Sequence, residues 1–80
     1  MPFSPFALPR EVFVAEIQLN GNREEVAEGT TVAALLENKG VNPKRVVVEL
    51  NRRILPREEF GSARLGAGDV VEVVTFVGGG

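Results

Sequence analysis

DVVEVVTFVGGG, residues 69–80, is a run of β-branched residues that stops at three glycines. Its apolar residues alternate at period two, the signature of a half-buried strand. Val71, Val73, Thr75 and Val77 share one side; Val70, Glu72, Val74 and Phe76 share the other. A carboxylate avoids an apolar core. Glu72 therefore assigns its own side to solvent, and Val71 and Val73 to the interior.

Upstream of this strand, PREEFGSARLGAGD (residues 56–69) reads as loop, with a single helical turn at Arg57–Phe60. GAG at Gly66–Gly68 lacks the strand-to-helix context of a phosphate-binding loop. It reads as a turn into the last strand, with Asp69 helping to fix it. Arg53–Leu55 is a short edge strand broken by Pro56. KRVVVELN (residues 44–51) is a further strand, with Val46, Val48 and Leu50 on one face and Arg45, Val47 and Glu49 on the other.

EGTTVAALLENKG (residues 28–40) has helical periodicity. Thr30 or Thr31 can accept from free backbone N–H groups at its start. Val32, Leu35 and Leu36 form an i, i+3, i+4 stripe expected in the core. Gly40 stops the helix, with Pro43 just beyond. Before it, VFVAEIQLN (residues 12–20) alternates, with Phe13, Ala15, Ile17 and Leu19 assigned inward. Asn20-Gly21 accepts positive φ and predicts a tight hairpin into a return strand, REEVA. Residues 1–10 hold three prolines and no periodicity.

These elements predict an α+β protein in the order ββαβ(β)β. The expected architecture is a β-grasp: a mixed four- to five-stranded sheet, one helix packed on one face, first and last strands parallel at the centre. The expected organisation is a flexible arm over 1–11, the folded domain over 12–77, and a flexible Gly-Gly-Gly tail over 78–80.

Composition narrows the function. Eighty residues make one small domain with little room for an enclosed site. Net charge is −2 with signs interspersed, which gives no electrostatic basis for binding nucleic acid or an anionic membrane. Cys and His are absent. That removes disulfides, thiolate catalysis, the usual general base and the commonest metal ligands, so no metal site is expected. Lack of Cys fits a reducing compartment, and a cytoplasmic location is expected. No apolar run reaches membrane-spanning length.

Candidate sites are few. Glu49 and Glu72 place Val47, Val74 and Phe76 on the outer face, as an exposed apolar island beside charges. Such islands are either ordinary solvent-facing strand residues or docking patches; the patch is the favoured reading. Glu24–Glu25 and Glu58–Glu59, read as lying in turns, have no His or metal-ligand company and are expected to be solvated. Arg52, Arg53 and Arg57 are open to either a partner contact or simple surface charge.

The glycines at 78–80 follow a stiff strand and can enter a narrow slot, because no Cβ obstructs them. A terminal carboxylate at Gly80 is ionised at neutral pH and is a poor electrophile. Productive chemistry there requires prior activation, for which ATP is suited. Nothing in the chain is equipped to bind ATP, so another protein would perform that step.

VELNRRILPREEF (residues 48–60) and GAGDVVEVVTFVGGG (residues 66–80) resemble the sulfur carrier proteins of thiamine biosynthesis (ThiS-type), a ubiquitin-like β-grasp family. The resemblance runs from about Ile17 to Gly80 and includes EGTTVAALL. It implies a protein co-substrate, not an enzyme. In that family an adenylating enzyme of the ubiquitin-activating type uses ATP to make an acyl-adenylate at the residue corresponding to Gly80. Sulfur from a donor such as a cysteine desulfurase then yields a thiocarboxylate, which serves thiazole synthase. Gly79 matches the family's penultimate glycine, and Gly78 the variants ending in three. No tightly bound cofactor is implied. A molybdopterin-type sulfur carrier, a ubiquitin-like modifier and a plain β-grasp interaction domain are the alternatives.

Overall fold

In the computed structural model, residues 13–76 are described. Five strands form one sheet in the order β2-β1-β5-β3-β4. They are β1 (Val14–Leu19), β2 (Asn22–Ala27), β3 (Val46–Leu50), β4 (Arg53–Leu55) and β5 (Val70–Thr75), with the helix α1 (Val32–Asn38) between β2 and β3. β1 and β5 are parallel neighbours, with Gln18 opposite Val70 and Leu19 opposite Val71. β5 is antiparallel to β3, and the two hairpins β1–β2 and β3–β4 flank this centre. The expected mixed sheet with one covering helix is present with five strands, and the last strand occupies its middle. The expected arm, residues 1–11, and the tail, residues 78–80, lie outside the described residues.

Local chemistry explains the turns. Asn20 and Gly21 have φ of 50° and 85°, the left-handed pair that a two-residue hairpin between twisted strands requires. The β3–β4 hairpin uses the same solution with Asn51 and Arg52, at φ 53° and 70°. Arg52 has no glycine's freedom, and its left-handed conformation is held by the strands on either side. Asn51 also braces β5: its Oδ1 accepts from the Val70 amide (2.9 Å) and its Nδ2 donates to Asp69 Oδ1 (3.0 Å). Asp69 Oδ2 accepts from the Gly66 amide at 2.8 Å, fixing the turn before β5 as the sequence suggests.

α1 has only seven residues, too few to be stable alone. Both of its ends are capped. Thr31, not Thr30, is the N-cap, and its Oγ1 accepts from Ala34 N at 3.1 Å. The Val32 and Ala33 amides donate to the carbonyls of Ala63 and Phe60, at 2.9 and 2.8 Å. A distant loop thus supplies acceptors for the first turn's orphan donors. At the other end Gly40, at φ 70°, donates to Glu37 O and Val41 donates to Leu36 O. That double bond pattern is a Schellman stop.

Val32, Leu35 and Leu36 are buried against Ile17, Val46, Val48 and Val71 from the inner face of the sheet. Phe60 and Leu65 complete this core from the loop between β4 and β5. Burying such side chains contributes roughly 1.5–3 kcal/mol each. Two expectations need correction. Phe13, assigned inward, is 65% exposed; it sits outside β1, one pair beyond Val14–Ala27, and burial begins only at Ala15. Glu24 and Glu25 lie in strand β2, not in a turn. The pleat sends them to opposite faces, and Glu24 forms an ion pair with Lys39 just after α1.

Candidate functional site

The outer face of the sheet, opposite the helix, carries the candidate docking surface. In the β3–β5 pairing Val47 lies directly opposite Val74, and Glu49 directly opposite Glu72. Directly opposed residues project to the same face. Val74 is 58% exposed and Phe76 54% exposed, as the Glu72 argument requires. Val47 is half-buried rather than exposed, with Val74 directly opposite it.

A fourth apolar residue joins this surface. Ile54, 70% exposed, stands opposite Glu49 on β4. The row Ile54–Glu49–Glu72 thus runs across three strands beside the row Val47–Val74. Ile54 was legible in principle: Leu55 is the core neighbour on that strand, so alternation sends Ile54 outward. Two facing carboxylates repel one another, a local loss of roughly 0.2–1 kcal/mol. A cationic group from outside would relieve it. The face therefore combines apolar area with the paired carboxylates of Glu49 and Glu72.

β5 stays tied to the sheet to its end. The Phe76 amide donates to the Arg45 carbonyl at 2.8 Å, so the backbone is hydrogen-bonded to within four residues of Gly80. Gly78, Gly79 and Gly80, the candidate reactive tail, lie outside the described residues.

Elsewhere the surface offers little chemistry. Among the described residues no group of three His, Cys, Asp or Glu is placed to hold a metal ion, and none of the buried residues is polar or charged. A depression of about 500 Å³ is lined by Ala33, Glu37, Gly40, Val41, Asn42 and Pro43, with one carboxylate and no nucleophile. Glu58 and Glu59 fall in a 3₁₀ turn at the surface. Arg57 is a structural residue: its guanidinium donates to the carbonyls of Pro43 and Val46, at 2.9 and 3.3 Å.

Comparison with known proteins gives a consistent result. Residues 11–80 match the sequence profile of the ThiS family. The chain is 38% identical over 65 residues to the sulfur carrier protein ThiS of Bacillus subtilis, covering 80% of this chain and 98% of that protein. It is 40% identical over 65 residues to a thiazole synthase of Magnetococcus marinus, covering 81% of this chain. There the chain spans only 20% of the relative's length. The crystal structure of the thiamine biosynthesis protein ThiS from Geobacter metallireducens superimposes with a TM-score of 0.70 at 38% identity, covering 81% of this chain and 99% of that one.

Proposed function

The chain belongs to the ThiS family, and on that premise we propose that it is a sulfur carrier in thiamine biosynthesis, a co-substrate for other enzymes. Gly80 supplies the carboxylate that carries the sulfur. A carboxylate oxygen attacks the α-phosphorus of ATP on a partner adenylating enzyme, pyrophosphate leaves, and an acyl-adenylate forms. The terminal sulfur of a persulfide, made by a donor such as a cysteine desulfurase, attacks the acyl carbon and AMP leaves. A thiol then reduces the acyl disulfide, releasing the Gly80 thiocarboxylate. This is a stronger nucleophile than the parent carboxylate, and thiazole synthase accepts its sulfur. ATP is bound by the activating enzyme, and no cofactor is needed on the carrier.

The observation that carries this reading is the family match through Gly80, in a chain that also covers almost the whole of the Bacillus carrier. The thiazole synthase relative adds support for the partner, since a segment like this one is there part of a single polypeptide with that name. It also favours the thiazole pathway over a molybdopterin-type carrier. Val74 and Phe76, with half-buried Val47 and with Ile54, are the docking surface in this scheme; Gly78 and Gly79 are the slender approach to the reacting group.

The test is direct. The purified chain is incubated with an adenylating enzyme of this type, ATP, cysteine, a cysteine desulfurase and a thiol. Intact mass should rise by one oxygen-to-sulfur exchange, mapped to the C-terminal peptide. Lysine-linked conjugates in place of that change would establish a modifier instead.

A further inference from the structure

Among the described residues, β5 has an open edge over Val73–Thr75. β1 pairs with β5 only at Gln18–Val70 and Leu19–Val71, then turns away at Asn20–Gly21. Odd-numbered residues of β5 face β1: the Gln18 amide donates to Asp69 O and the Asn20 amide to Val71 O, both at 2.9 Å. Even-numbered residues face β3, as the bonds at Val70 and Phe76 show. Past the end of β1, the Asn20 side chain takes over the ladder, its Oδ1 accepting from the Val73 amide at 2.8 Å. The same alternation leaves the Val73 carbonyl and both the N–H and C=O of Thr75 pointing away from β3. Among the described residues no main-chain or side-chain group meets them.

This edge differs from the other two. β2 ends the sheet with Arg23, Glu24 and Glu25, charges that deter a second strand, and β4 is three residues long and closed by Pro56. Residues 73–76 carry no charge and are held in extended form on their other side by β3. An unpaired, uncharged and preformed strand edge is the template for strand addition.

We propose that the Val73–Thr75 edge receives an extended strand of thiazole synthase, which continues the sheet and sets the direction in which the carrier's C-terminus enters that enzyme. The identity of the partner rests on the sulfur-carrier reading above. It is supported by the relative in which a homologous segment belongs to a thiazole synthase chain, so that surfaces of the two lie within one polypeptide. Pairing uses three main-chain groups, the Val73 carbonyl, the Thr75 amide and the Thr75 carbonyl. The incoming strand presents apolar side chains at the positions flanking Val74 and Phe76 on the outer face.

Hydrogen exchange of individual amides tests this, with the full chain measured alone and with excess thiazole synthase from the same genome. The Thr75 amide should exchange roughly tenfold or more slowly in the complex, as a newly made main-chain hydrogen bond requires. The Phe76 amide, already bonded to Arg45, is the internal reference. Thr75→Pro removes the donor at a position whose N–H faces outward, where proline is tolerated; it should weaken binding roughly tenfold, whereas Thr75→Val should bind as wild type. A complex in which Thr75 exchanges as in the free chain, or binding unaffected by Thr75→Pro, overturns the edge and leaves the sulfur-carrier reading standing. If thiazole synthase does not bind the chain at all, both fall. If Thr75→Pro does not fold, the exchange measurement on the unaltered chain still decides.

Discussion

The Arg57 Nε donates to the Pro43 carbonyl at 2.9 Å, joining the start of the 3₁₀ turn Pro43–Arg45 to the start of the 3₁₀ turn Arg57–Glu59. The same guanidinium reaches the Val46 carbonyl where β3 begins. One planar cation thus ties the helix-to-β3 connection to the β4-to-β5 loop. A lysine ammonium presents its donors from one nitrogen and does not reproduce the guanidinium's planar fork. Arg57→Lys and Arg57→Ala should each lose about 1 kcal/mol in urea denaturation, the scale of a net hydrogen bond at a solvated site. Unchanged stability in Arg57→Ala would mean that water serves these carbonyls equally well.

Phe76 contributes exposed area and little packing. Phe76→Asp should change folding stability by no more than about 0.5 kcal/mol, as substitutions on open surface do. Its affinity for the activating enzyme, read by titration calorimetry, should fall tenfold or more, the loss of roughly 1.4 kcal/mol or greater typical of an aromatic anchor. Ile54→Asp should act in the same direction. A large loss of stability in either would show that the outer face is part of the core.

Deleting Gly79 and Gly80 separates the carrier chemistry from the fold. The core cluster is built from residues 17–71, so the thermal midpoint should stay where it is. The oxygen-to-sulfur mass change should disappear completely. Retention of a thiocarboxylate on the shortened chain would remove the special role of the last two glycines.

Two glycines make contrasting predictions. A Cβ at Gly21 or at Gly61 would meet no heavy atom within 4 Å, but Gly21 has φ of 85°. Gly21→Ala should therefore cost about 1 kcal/mol through backbone conformation alone. Gly61→Ala should be neutral or slightly stabilising, because alanine narrows the unfolded ensemble. Equal effects at both sites would remove the conformational explanation.

Much of the fold is legible in the chain because it follows from rules acting over a few residues. Period two in residues 14–19, 46–50 and 70–75 marks strands; Glu49 and Glu72 name their wet side. Asn20-Gly21 specifies the hairpin, Thr30 or Thr31 and Gly40 bracket the helix, and Val32, Leu35 and Leu36 its buried stripe. The tail glycines, and the resemblance they complete, point to the chemistry at Gly80.

Tertiary structure alone decided the remainder, because it depends on which distant groups meet. Phe60 and Leu65 sit in an aperiodic loop, so no pattern marks them as core; folding carries them over the helix, where the same loop caps its free amides. Val47 is half-buried opposite Val74, while Phe13 falls beyond the sheet's covered area. Asn20 serves β5 across 53 positions of sequence, and only that meeting shows where one ladder ends and an open edge begins. Local sequence sets conformation and facing; the long-range approach of backbone to backbone determines which polar groups are satisfied and which remain to be met.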